Sequence, residues 1–210
     1  MLTAVLVAAA LTCLVGELVH VPALVYAGKP LATIATIVIA ARSAGAVSAG
    51  YRAWITAGLA CSLAGDVFLM LPHDLFVAGL ASFLVAHLLY IVAFVRHGGR
   101  ARDVTAVGVF GFAALMLLLI WPALGALRWP VVAYVTVIAT MAWQALARWR
   151  HIRTGDAQLA AIGALVFLCS DSALAVRKFH GEFPGGAVVI LGTYWVAQWC
   201  IATSVTARRM

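Results

Sequence analysis

The chain has 210 residues, 65% of them hydrophobic and only 10% charged, with a mean hydropathy of +1.08. A soluble domain carries about 25% charged residues, so there is too little polar surface here to cover a water-soluble globule, and the composition predicts a polytopic membrane protein. The net charge of +7 is scattered among short connecting segments rather than gathered in a patch, so it reports topology and gives no nucleic-acid footprint.

A hydrocarbon core about 30 Å thick takes roughly 17–25 helical residues to cross. Eight transmembrane helices are predicted, at about 2–20, 29–43, 52–71, 74–96, 104–121, 129–148, 157–178 and 187–206. The first lacks the basic flank of a secretory signal and is read as a helix of the bundle. The second is short and opens at Lys29-Pro30, where proline suits a first helical turn. No connection is long or polar enough for a soluble domain, so residues 1–210 form a single all-α membrane bundle.

Basic residues divide unequally between its two sides. The side holding the N-terminus has Arg42, Arg52, Arg96, Arg100, Arg102, Arg148, Arg150, Arg153, Arg208 and Arg209; the other has Lys29, Arg128, Arg177 and Lys178. The positive-inside rule places both termini in the cytoplasm, and an even number of spans agrees. The bias toward Arg over Lys and toward Ala points to a bacterial inner membrane.

Cys13, Cys61, Cys169 and Cys200 all lie inside apolar runs without a CxxC pair, and read as buried thiols. Of the six histidines only His87 lies deep in a span, and no HxxxH or HExxH occurs. A catalytic zinc would want about three protein ligands, so neither metal nor other cofactor is expected. There is no GxSxG elbow, although Ser170 beside Asp171 leaves a serine nucleophile open. Gly79, Gly163 and Gly192 are expected to permit close helix packing.

Two intramembrane carboxylates stand out. "LACSLAGDVFLM" in the third span and "LVFLCSDSALAV" in the seventh carry Asp66 and Asp171 in similar surroundings, and "VAHLLY" and "VAQWCI" in the spans that follow carry His87 and Gln198. A four-plus-four parallel repeat or coincidence in an Ala/Leu/Val-rich chain would each account for this echo. An ionisable residue inside a span costs about 2.5–3.5 kcal/mol on insertion scales and so faces a cavity or a partner. At 1.5 Å per residue, Asp66 lies roughly 8 Å and Asp171 roughly 10 Å below the outer ends of their helices. Tyr194 follows at about 10 Å, Gln198 at about 16 Å and His87 near 20 Å. The inner half offers little besides Gln144. These residues are expected to line one cavity open to the outer face or laterally to its leaflet, with Ser62 one turn below Asp66 as a donor to it. Tyr194 with Gln198, and His87 with Tyr90, share helix faces.

In order along the chain, Lys29-Pro30-Leu31, "AGDVFLMLP", "GLASFLVAHLLYIVAF", "RWP", "GALVFLCSDSALAVRKF" and "TYWVAQWCIATS" resemble the YhhN-like lysoplasmalogenases, multi-pass membrane hydrolases. The resemblance implies hydrolysis of the vinyl ether bond of a lysoplasmalogen to a fatty aldehyde and a glycerophospho-ethanolamine or -choline. It carries the family pattern onto Lys29, Asp66, His87, Tyr90, Ser170, Asp171, Tyr194 and Gln198, with no metal or nucleotide. The chemistry suits the residues independently. A vinyl ether hydrolyses by protonation of its β-carbon and capture of the oxocarbenium ion by water. That takes one carboxyl as acid and one carboxylate to stabilise the cation and guide water, the division seen in glycosidases. Asp66 and Asp171 are the expected acid/base pair. Lys29, then Lys178, would meet the phosphate of a lysophospholipid substrate held within the bilayer. The other readings are a small transporter or lipid-binding module using the Asp pair, and a hydrolase of another lysolipid.

Overall fold

The computed structural model describes residues 1–98 and 104–208. Arg100, Arg102 and Arg209, three of the basic residues assigned to the N-terminal side, lie outside the described residues. The described residues form eight α-helices in an all-helical bundle: α1 (Leu2–Leu18), α2 (Pro22–Ala41), α3 (Ala49–Met70), α4 (Phe76–Arg96), α5 (Thr105–Ile120), α6 (Arg128–Ile152), α7 (Gly155–His180) and α8 (Gly186–Thr203). Two single 3₁₀ turns, Trp121–Ala123 and Gly125–Leu127, join α5 to α6. Among the described residues, seven helical segments are long and apolar enough to cross a membrane. α1 is a shorter apolar helix of 17 residues packed along α2.

Helix boundaries fall within four residues of those read from hydropathy, with one exception. α2 starts at Pro22, not at Lys29. Val21 is extended and Pro22 takes the first helical position, where its missing N–H has no partner to lose. Pro30 therefore sits inside the helix. It removes one ladder bond, a loss membrane helices tolerate when neighbouring helices and Ser/Thr side chains satisfy the freed groups.

The interior is built from small side chains. Ala32, Ala86, Ala142, Ala160, Ala164 and Ala197 are all fully buried, whereas Leu115, Leu118 and Trp129 face outward. With lipid as solvent there is little hydrophobic drive between helices, so close backbone approach supplies the packing energy. A Cβ at Gly163 would lie 2.9 Å from the Ala197 carbonyl oxygen, and one at Gly79 would lie 2.6 Å from Leu69 Cδ2. Gly192, expected to do the same, faces open space.

The half of the bundle nearer the N-terminus is not as apolar as expected. Arg148 at the end of α6 is buried and donates from Nη2 to Asp156 Oδ2 at 2.6 Å and from Nε to the His97 carbonyl at 3.2 Å. Its guanidinium also lies 4.9 Å from the Tyr51 ring centroid, and the Tyr51 hydroxyl meets Ser204 Oγ at 2.9 Å. The Asp lies past the predicted end of the sixth span, so span-by-span hydropathy separated two partners that the α6–α7 turn reunites. The segment after α8 closes this end, with Val47 N–H donating to the Val205 carbonyl and Ala207 N–H to the Gly45 carbonyl.

Candidate active site

At the opposite end a cavity of about 560 Å³ opens between α2, α3, α4, α7 and α8, rimmed by Glu17 of α1 and the α3–α4 loop. Asp66 and Asp171 both line it. Each comes from a long apolar helix that sets its carboxylate in the same half of the bundle. α3 ends four residues after Asp66, and α7 continues nine residues past Asp171.

The two carboxylates have different surroundings. Asp66 is 1% exposed. Its Oδ2 accepts from Thr33 Oγ at 2.6 Å and from the Tyr194 hydroxyl at 2.6 Å, and Lys29 Nζ lies 3.6 Å from Oδ1. Asp171 is half-buried and accepts from the Tyr134 hydroxyl of α6. A buried charge has to be paired and hydrogen-bonded, and the ammonium with two hydroxyl donors supplies that for Asp66. Asp171, with one hydroxyl partner, faces both the polar cavity and an apolar slot of about 60 Å³ between α4, α5, α6 and α7.

Behind Asp66 the polar groups form a chain. Gln198 Nε2 donates to the Tyr194 oxygen at 2.9 Å, the Tyr90 hydroxyl donates to Gln198 Oε1 at 3.3 Å, and Ser62 Oγ lies 3.4 Å from the Tyr90 oxygen. Ser62 therefore meets Tyr90 and not Asp66: one turn along α3 carries it past the carboxylate. Tyr194 and Gln198, four apart on α8, bond to each other as their shared face requires. Of the residues singled out in the sequence, Lys29, Asp66, Ser170, Asp171, Lys178 and Tyr194 line the cavity. Tyr90 and Gln198 lie beneath its wall as the chain just described. His87 is also fully buried, caged by Phe83, Phe167, Tyr90 and Tyr134, with ring centroids 4.8 Å from Phe167 and 5.3 Å from Tyr134.

Ser170 Oγ donates to the Ile190 carbonyl at 2.8 Å, so its hydrogen is committed to the backbone of α8 and not to a general base. At the mouth, Lys178 Nζ lies 3.6 Å from Asp74 Oδ1 and over the Phe76 ring, and Arg177 Nε donates to Glu182 at 2.7 Å. Among the described residues no group of three or more His, Cys, Asp or Glu side chains is placed to hold a metal ion.

Two site residues were missed in the sequence. Thr33 stands four after Lys29, on the same face of α2. Tyr134 is a phenol in the middle of a span, and a buried tyrosine hydroxyl usually finds a partner. Neither signal names the carboxylate that would receive it.

The YhhN family model matches residues 24–205. The chain is 34% identical to human "Lysoplasmalogenase TMEM86A" over 166 residues, covering 74% of this chain and 66% of the relative. It is 35% identical to pig "Lysoplasmalogenase TMEM86B" over 165 residues, covering 75% and 65%. It is 25% identical to the Escherichia coli O157:H7 "Uncharacterized membrane protein YhhN" over 158 residues, covering 72% and 73%. It spans about 65% of the length of the lysoplasmalogenase relatives it matches. No solved structure matches it. A family match over nearly the whole bundle, including every helix that lines the carboxylate cavity except α1, makes this chain a member of the YhhN family.

Proposed function

We propose that this protein is a metal-independent membrane hydrolase that cleaves the vinyl ether bond of a lysoplasmalogen, releasing a fatty aldehyde and a glycerophospho-ethanolamine or -choline. The observation that carries the reading is the pair of carboxylates, Asp66 and Asp171, on one cavity at the junction of a polar mouth and an apolar slot. The names of the mammalian relatives support the same activity.

Asp171 is the acid. It has one hydroxyl partner and borders the slot where a hydrocarbon would lie, so its proton can pass to the β-carbon of the double bond, leaving an oxocarbenium ion at the α-carbon. Asp66, held as an anion by Lys29, Thr33 and Tyr194, faces the developing positive charge across the cavity. Water then adds to the α-carbon and gives up a proton to a carboxylate, forming a hemiacetal. Its collapse moves the hydroxyl proton to the departing glycerol oxygen and breaks the C–O bond. One water is consumed and no redox partner is needed.

Lys29, Lys178 and Arg177 supply positive charge where the phosphate would lie. Both termini are assigned to the cytoplasm, because most of the arginines lie at the helix ends opposite the cavity, and the bias toward Arg and Ala favours a bacterial inner membrane. The substrate then enters from the outer leaflet.

The test is aldehyde release from a lysoplasmalogen by purified protein, beside Asp66→Asn and Asp171→Asn. Each substitution should lower kcat by about 10²–10⁴ in a folded protein. Near-normal rates in both variants would sink the proposed roles. No aldehyde from a folded wild type would shift the weight to another lysolipid or to transport.

A further inference from the structure

One stripe of α5 borders a crevice made of two apolar compartments. Ala113, Met116, Leu117 and Ile120 border the slot beside Asp171, and Thr105, Gly108, Val109 and Phe112 border a second apolar pocket of about 340 Å³. These positions recur at three- and four-residue steps, the inner face of one helix. Leu168 of α7 borders both compartments. The other face, with Val107, Leu115 and Leu118, is exposed. α5 packs chiefly against α6 and α7, so the crevice is bounded on one side by a helix with few other neighbours.

We propose that this crevice is the binding channel for the single hydrocarbon chain of the substrate. It runs from Asp171 along the inner face of α5 and past Leu168. The inference rests on the lysolipid reading for the identity of its ligand. Three observations favour a hydrocarbon chain. The slot adjoins the carboxylate cavity, the two sharing Leu69, Phe76, Phe83, Asp171 and Leu174 in their walls. Apart from Tyr134, Asp171 and Ser172 at its head and Thr105 at its far end, its lining is hydrocarbon and sulfur. The α5 stripe that borders both compartments runs about 22 Å from Ile120 to Thr105, longer than the about 15 Å of one leaflet of a 30 Å core. A void between apolar walls forfeits dispersion contacts, and within a bilayer a lipid chain restores them. With the headgroup at the lysines and the chain in the channel, the first carbons of the chain fall beside Asp171, where the vinyl ether would be. Leu168 then sets chain-length preference: short chains stop in the 60 Å³ slot, and longer ones have to pass it.

The test separates this channel from the hydrolysis. Full-length protein in phosphatidylcholine nanodiscs is photolabelled with a lysophosphatidylethanolamine analogue whose saturated ether-linked chain ends in a diazirine and cannot be hydrolysed by this route. Label on Phe112, Met116 or Leu168 that an excess of unlabelled long-chain analogue removes, while label on Leu115 and Leu118 persists, is the expected result. Label confined to the outward residues would overturn the channel. Leu168→Trp should weaken competition by a long-chain analogue about tenfold more than competition by a short-chain one. Leu168→Ala, which overfills nothing, should improve the long chain relative to the short. Equal changes for both lengths in both variants would also overturn it. Inner-face label without aldehyde release from a vinyl ether would leave the channel standing and remove the proposed reaction. Aldehyde release without inner-face label would do the reverse.

Discussion

The Tyr194 hydroxyl donates to Oδ2 of Asp66 at 2.6 Å, tying α8 to α3 across the floor of the cavity. The same oxygen accepts from Thr33 of α2, so three helices fix one carboxylate. A hydrogen bond to a charged group contributes about 1.5–3 kcal/mol. Tyr194→Phe should therefore lower kcat roughly 10- to 100-fold with a smaller change in KM, and Thr33→Val should act in the same direction. Steady-state aldehyde release checks both. A change in KM alone would mean that these groups bind the lipid and do not hold Asp66.

The two lysines of the cavity should separate kinetically. Lys178 is half-exposed at the mouth beside Asp74, so Lys178→Ala should raise KM roughly fivefold, about 1 kcal/mol, and spare kcat. Lys29 is the cation of a buried pair with Asp66. Lys29→Met leaves that charge short of its partner, and loss of one member of such a pair costs about 3–5 kcal/mol. It should lower both kcat and the unfolding temperature. Equal kinetic effects from the two would refute the distinction.

Packing makes a prediction independent of chemistry. Gly163→Ala puts a Cβ 2.9 Å from the Ala197 carbonyl and from Cys200 Cβ, both fixed by α8. Overpacking of this kind costs about 1–3 kcal/mol. Thermal unfolding in detergent should show it as a loss of several degrees. Gly192→Ala, which meets nothing, should leave stability unchanged or raise it by up to about 1 kcal/mol through helix propensity.

The Arg148–Asp156 pair tests the closed end of the bundle. Arg148→Met strands a buried carboxylate and should cost about 3–5 kcal/mol, while Arg148→Met with Asp156→Leu should recover much of that loss. A double-mutant cycle in thermal unfolding measures the coupling. Additive losses would show that Asp156 does not depend on Arg148.

Hydropathy alone determined the membrane class, the number of helices and most of their ends, because lipid forces every backbone polar group into internal hydrogen bonds and makes apolar length diagnostic. Depth counting also put Asp66, Asp171 and Tyr194 on one cavity, since rise per residue along a straight helix is fixed. It could not say which helices are neighbours or how each is rotated. For that reason His87, Tyr90 and Gln198, at plausible depths, stand behind the cavity wall, and Ser62 meets Tyr90 instead of Asp66. Thr33, Tyr134 and the Arg148–Asp156 pair were missed for the same reason: each partnership joins two helices or crosses a turn. Pro30 misled because propensity favours proline at a helix start, whereas the rest of the bundle carries the helix through it. What tertiary structure decided was azimuth and partner. Those depend on side-chain packing between helices far apart in sequence, which no periodicity within one span encodes.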